Sequence, residues 1–196
     1  MSRTQKSVLP AILLIIFIQL LLLITMIANR QLLLSSDTIV ILETRPIDPR
    51  SLFRGDYVRL NYEINNLHLD ELSGERTFKT NDTVYVVLEQ QKKYWEPRAI
   101  YLEKPRLLAK QSLIQGVVKR VTKRHWDGDT AINDVINLEV NYGIENYFVP
   151  EGEGLKLERP KPGDKVTLKI ALDSDGHAAI KTLLLNDVPQ YQEALF

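Results

Sequence analysis

Residues 165–185 read KVTLKIALDSDGHAAIKTLLL. Two apolar, alternating runs, 165–172 and 178–185, flank the turn Ser174-Asp175-Gly176. Glycine supplies the positive φ a tight turn needs, so Asp-Gly between two such runs is a strong hairpin signal. The same pattern recurs upstream. Residues 57–64 (YVRLNYEI) alternate strictly, with Val58, Leu60, Tyr62 and Ile64 on one side. Residues 38–44, 83–89, 98–103, 113–122, 135–142 and 145–149 are further β-branched or alternating runs. This is the period-two signature of half-buried strands. Turn residues separate them: Gly55-Asp56, Asn81-Asp82, Asp127-Gly128-Asp129 and Gly163-Asp164. Only 66–75 and 187–196 carry any expectation of helix outside the N-terminal region. The predicted fold is mainly β: one antiparallel domain, barrel-like or sandwich, over residues 38–196.

The exception is VLPAILLIIFIQLLLLITMIA, residues 8–28, an apolar run with no charged side chain. About 20 such residues at 1.5 Å rise span a hydrocarbon core of roughly 30 Å. A cleaved signal has a core of about 7–15 residues ending at a small-x-small site. Here the core is longer, and Met26 and Ala28 make a poor site. Thr25 is expected to bond its own backbone, and Gln19 to be tolerated or to bond a neighbouring helix. Residues 8–28 therefore read as a transmembrane signal anchor, after a cytoplasmic stretch (1–7) and before a juxtamembrane linker (29–37). Arg3 and Lys6 precede the run and Arg30 follows it, which favours a cytoplasmic N-terminus. The β domain would then be periplasmic or lumenal, on an inner or thylakoid-type membrane.

Composition narrows the function. There is no cysteine, so thiol chemistry and Cys-based metal sites are excluded. Setting aside Arg3, Lys6 and Arg30, the remaining basic residues are slightly outnumbered by the 25 acidic ones. Such a domain has no electrostatic case for nucleic acid. The local cluster KRVTKRHW (119–126) reads as a solvated strand end and turn. RGDYVRL, TNDTVYV and PGDKVTL share a turn residue, then Asp, any residue and Val. They read as one device that delivers a turn into a strand, with the Asp bonding backbone N–H groups just beyond it.

Two stretches are more particular. RPIDPRSLFRGDYVRLNYEI (45–64) gathers Arg45, Asp48, Arg50, Arg54 and Asp56 around Pro46 and Pro49. YGIENYFVPEGEG (142–154) sets Tyr142, Tyr147 and Phe148 around Glu145. Gly55-Asp56-Tyr57-Val58-Arg59-Leu60-Asn61-Tyr62 is G-D-Y-x-x-L-x-Y, and the chain resembles the bacterial GDYXXLXY family over nearly its full length. The resemblance includes the N-terminal helix, the DPRxLFRGDY and YGIExYFVPEG runs, and the late DxDG strand at 173–185. It implies a membrane-anchored protein of unknown function, often found with multi-pass membrane proteins, and it brings no catalytic residues. A fainter likeness is to type I signal peptidases, whose nucleophile motif is S-M-x-P-T-L-x-x-G-D-x-V. Aligning Gly55-Asp56 puts Ile47 on the nucleophile and Ser51 on the threonine, with Lys119-Arg120-Val121 resembling the lysine strand. A Ser–Lys mechanism needs a hydroxyl beside a desolvated lysine, and isoleucine cannot attack.

His68, His125 and His177 are isolated. DSDGH (173–177) begins like a calcium loop but has Leu184 where the twelfth-position glutamate belongs. No metal or cofactor is expected. The function expected is non-catalytic: an accessory protein held in the bilayer by 8–28 and working with an integral membrane partner. A signal-peptidase-like relative and a small-ligand-binding β domain are the alternatives. Contact residues are expected at Arg50, Arg54, Asp56 and Tyr57, and at Glu145, Tyr147 and Phe148. The competing expectation is that both runs are scaffold.

Overall fold

The computed structural model describes residues 3–45, 57–127, 130–148 and 164–192. Helix α1 (Arg3–Leu34) takes in the apolar run and continues six residues beyond its expected end. Its large apolar side chains from Ile12 to Ile27 are 45–68% exposed, because no part of the described chain covers them. Residues Pro10–Leu34 are long and apolar enough to cross a membrane, a property shared with signal sequences. Thr25 Oγ1 donates to the Leu21 carbonyl at 2.8 Å, the local bond that lets a hydroxyl sit in an apolar helix.

Thirteen strands follow among the described residues, in chain order β1 Ile39–Arg45, β2 Tyr57–Arg59, β3 Asn61–Tyr62, β4 Asn66–His68, β5 Ser73–Gly74, β6 Thr83–Gln91, β7 Tyr94–Tyr101, β8 Gln111–Asp127, β9 Thr130–Asn141, β10 Asn146–Phe148, β11 Val166–Leu172, β12 Ala178–Leu185 and β13 Val188–Gln192. One sheet has the order β13-β12-β11-β1-β3, a second β4-β9-β8-β6-β7-β5, and β10 pairs with β2 alone. All pairings are antiparallel except β5 with β7. The fold is therefore mainly β and sandwich-like or half-barrel. A common core draws on both larger sheets: Val40, Leu42, Leu168, Ile170 and Leu183 from the first, Val84, Val86, Ile100, Ile114 and Leu138 from the second.

The hairpin read from 165–185 forms as expected. Leu172 faces Ala178, Val166 faces Leu185, and Gly176 has φ +88°. Asp173 closes the turn: Oδ1 accepts from the N–H groups of Asp175 (2.8 Å) and His177 (2.9 Å), and Oδ2 lies 2.8 Å from His177 Nδ1. Burial works against the Asp173 carboxylate, but these hydrogen bonds outweigh it and hold the pKa below its usual range. The turn then docks on the second sheet, where the Gln115 N–H donates to the Gly176 carbonyl at 2.8 Å.

Three local expectations are corrected. Residues 66–75 are not a helix. Leu67 and Leu69 are buried while His68 and Asp70 are exposed, a period-two pattern, and β4 pairs with β9. One-turn 3-10 segments at Glu63–Asn65 and Leu69–Glu71 flank it. Within 187–196, residues 188–192 form β13, entered from Asn186 and Asp187 at φ +50° and +70°. Two consecutive left-handed residues of this type make a hairpin turn, and 193–196 lie outside the described residues. Asp82, in the second copy of the turn-to-strand device, accepts from the Lys79 N–H three residues before it, at 2.7 Å, rather than from beyond it.

Gly176 and Gly143 separate two effects. Both have positive φ, so alanine at either is strained by roughly 1–2 kcal/mol. A Cβ at Gly143 meets nothing within 4 Å, whereas at Gly176 it would lie 2.9 Å from the Gln115 backbone nitrogen. Denaturant unfolding of the detergent-solubilised chain should show Gly176→Ala more destabilising than Gly143→Ala by at least about 1 kcal/mol. Equal losses would mean that the turn does not depend on its seat against β8.

Candidate functional site

The two unusual runs meet. β2 pairs with β10 in the register Arg59↔Asn146, Val58↔Tyr147 and Tyr57↔Phe148. The Leu60 N–H donates to the Glu145 carbonyl at 2.8 Å. At the next residue the chain changes partner, with Asn61 facing Arg45 and Tyr62 facing Thr44 on β1. One extended stretch, 57–62, is thus the seam between β10 and the five-stranded sheet.

Behind this seam lies a reciprocal clamp. The Tyr62 hydroxyl donates to the Ile144 carbonyl at 2.9 Å, and the Tyr142 hydroxyl donates to the Ile64 carbonyl at 2.8 Å. Asn65 Oδ1 accepts from the Tyr62 N–H, and Glu145 Oε1 accepts from the Tyr142 N–H, both at 2.6 Å. The two halves join where Asn65 Nδ2 donates to Glu145 Oε1 at 3.0 Å and to the Val140 carbonyl at 2.8 Å. Each half is built on one sequence: Asn61-Tyr62-Glu63-Ile64-Asn65-Asn66 and Asn141-Tyr142-Gly143-Ile144-Glu145-Asn146, or N-Y-x-I-x-N twice. The strands on either side obey the same pseudo-twofold. Arg59↔Asn146, Val58↔Tyr147 and Tyr57↔Phe148 correspond one for one to Glu139↔Asn66, Leu138↔Leu67 and Asn137↔His68. This repeat, rather than the turn-to-strand echo, was the available sequence signal for Tyr62, Asn65 and Tyr142, none of which stands among the expected contact residues.

The clamp is dry. Tyr62 is 0% exposed, and Asn65 and Tyr142 are buried. Burial, reinforced by the Glu145 carboxylate, pushes the Tyr62 and Tyr142 hydroxyls well above their usual pKa, with Tyr147 adding to the effect on Tyr62. Both stay neutral and donate their protons to carbonyls. Asn65 has an N–H facing its oxygen and two acceptors facing its nitrogen, so its amide has one satisfactory orientation. Gly116 on β8 makes room: a Cβ there would lie 2.5 Å from Val140 Cγ1 and 2.9 Å from Tyr142 Cδ1. Tyr147, buried on β10, meets Tyr191 of β13 edge-on at 5.7 Å. Hydroxyls bonded to carbonyls and a carboxylate oxygen holding two N–H donors make a brace, with no nucleophile beside a base.

Of the expected contact residues, Glu145 belongs to this brace and Tyr147 is buried near it. Tyr57 and Phe148 are described as backbone in the β2–β10 ladder. Arg50, Arg54 and Asp56 lie outside the described residues, as do Ile47 and Ser51. The signal-peptidase likeness finds no support. Lys119 is an exposed lysine (53%) with Nζ 3.1 Å from Glu139 Oε1, the opposite of a desolvated base. Among the described residues no three His, Asp or Glu side chains cluster as metal ligands.

A mainly β domain behind one apolar N-terminal helix, braced through paired N-Y-x-I-x-N segments, is the class of protein the fold and site define. The chain belongs to the GDYXXLXY protein family, whose model matches residues 19–183. No curated protein and no solved structure matches it.

The clamp makes a signed prediction. Unfolded tyrosines ionise near pH 10, whereas Tyr62 and Tyr142 hold their protons to higher pH. Their contribution to stability is full below about pH 10 and is lost as pH rises above it. The double variant Tyr62→Phe/Tyr142→Phe should be about 2–3 kcal/mol less stable at pH 7, from two buried hydrogen bonds. The gap to the parent should narrow above pH 10. Asn65→Asp, which sets a carboxylate against Glu145, should cost at least about 3 kcal/mol. A constant gap across pH would show that the hydroxyls are not buried.

Proposed function

We propose that this protein is a single-pass membrane anchor carrying a non-catalytic β domain that works as an accessory to an integral membrane partner. Its N-terminus is cytoplasmic and its domain periplasmic or lumenal. The observation that carries the reading is the length of the apolar helix. α1 runs through Pro10–Leu34, a span long and apolar enough to cross a membrane and longer than the core of about 7–15 residues in a cleaved signal. Its last residue, Leu34, is 3% exposed where the helix end meets β11 and β12. The absorption of Tyr62, Tyr142 and Glu145 into a brace further supports a role in presenting surface over a role in catalysis.

In this reading the partner contacts are Arg50, Arg54 and Asp56, in the run that joins β1 to β2, together with Tyr57 and Phe148. Glu145 and Tyr147 serve as scaffold. Recovery of a C-terminally tagged chain from native membranes in mild detergent should bring one integral membrane protein in near-equal amount. Recovery alone, under conditions that preserve known complexes, would overturn the proposal. Arg54→Ala should leave the melting temperature unchanged and lower that recovery several-fold. Tyr147→Ala should instead destabilise the domain by about 3 kcal/mol, as truncation of a buried aromatic does.

A further inference from the structure

The junction between α1 and β1 has no slack. The Ser35 N–H donates to the Gln31 carbonyl at 2.9 Å and the Ser36 N–H to the Leu33 carbonyl at 3.1 Å, finishing the helix. Ser36 Oγ then donates to the Leu172 carbonyl and accepts from the Thr38 N–H. The Leu172 N–H donates to the Thr38 carbonyl at 3.0 Å, and Ile39 pairs with Ala171 in the next step. The stretch expected as a linker, 29–37, is therefore mostly the last turns of α1 and their seat on the end of β11.

That seat fixes which end of the domain lies nearest the helix. Leu172 leads into the turn 173–177. Lys104, in the bend that leaves β7, reaches the same turn through its ion pair with Asp175 at 2.8 Å. The other end is marked by the β6–β7 tip, where Lys93 pairs with Asp187 of the β12–β13 turn and Tyr94 lies 5.6 Å from Lys165 Nζ at the start of β11. From Arg30 to Leu34 the helix rises only about 6 Å. One headgroup layer is about 5–7 Å thick. If Arg30 marks the edge of the hydrocarbon, Leu34 and the domain end it packs into fall within the headgroups. Leu32, 72% exposed between the two, is left facing lipid.

We propose that the β domain rests directly on the bilayer through the turn 173–177 and the bend Leu102–Lys104, and that the β6–β7 tip points away from it. The inference rests on the anchor reading given above. The occupant is the lipid surface itself. Attraction to anionic lipid does not drive the contact, because Lys104 is paired with Asp175 while Glu103 and Asp173 add negative charge at this end. The rigid junction imposes it.

The chain has no cysteine, so single labels are clean. Ser174→Cys and Lys92→Cys, both at exposed positions, carry an environment-sensitive fluorophore in the full-length protein. The protein is reconstituted into phosphatidylcholine vesicles with either no or about one-third phosphatidylglycerol. Flotation after alkaline extraction tests the anchor separately, and failure to float would sink the anchor reading itself. In floated vesicles, headgroup-attached quenchers should quench the 174 label at least threefold more than the 92 label, to the same extent in both lipids. Equal quenching at the two positions would overturn the inference. So would quenching at 174 that appears only with anionic lipid, or shielding of 174 from iodide without headgroup quenching, which would mean that protein covers the turn.

Discussion

The carboxamide of Asn65 is the point on which the arrangement of sheets depends. It holds the start of the Tyr62–Asn65 turn with its oxygen, and β9 and Glu145 with its nitrogen. A buried amide stripped of such partners costs several kcal/mol, a large share of the 5–15 kcal/mol by which a domain is stable. The group is therefore satisfied on all sides or the turn does not form. Because Tyr62 also pairs with β1 and Asn66 with β9, placing Asn65 places the five-stranded sheet against the six-stranded one.

The pseudo-twofold explains why one amide can carry this much. In each half the tyrosine ring crosses to the other half's turn, and the residue three positions on bonds the tyrosine's own N–H. Neither half can close its hydrogen bonds alone. At the centre strict symmetry would bring two identical side chains together. Two carboxylates there would repel, whereas Asn65 against Glu145 supplies a donor to an acceptor. The departure from the repeat falls where the geometry demands it.

Much of the fold was legible because strand patterning is local. The alternation in 57–62, the Asp175-Gly176 turn and the apolar run of α1 each declare themselves within a few residues. What local reading misread shows what was missing. NLHLDELSGE passes for a weak helix until β9 offers its edge to Asn66–His68, and the alternation of Leu67 and Leu69 with His68 and Asp70 then takes over. Residues 29–37 look like a polar linker because nothing local shows that Leu34 has a core to enter. The expected site was legible in part. Glu145 and Tyr147 stand out in an aromatic and acidic run. Tyr62 closes the G-D-Y-x-x-L-x-Y string but shows no partner there, and Asn65 does not stand out at all, because their partners lie in a distant segment that only comparison of the two N-Y-x-I-x-N strings connects to them.

The signature that names the family acquires a physical meaning from this geometry. Its closing Leu60 and Tyr62 are buried, one giving its N–H to the Glu145 carbonyl and the other its hydroxyl to the Ile144 carbonyl. These are the requirements of a segment that must leave one strand partner and take another without stranding a polar group in the core. A motif under that constraint is kept by folding, whatever the domain binds.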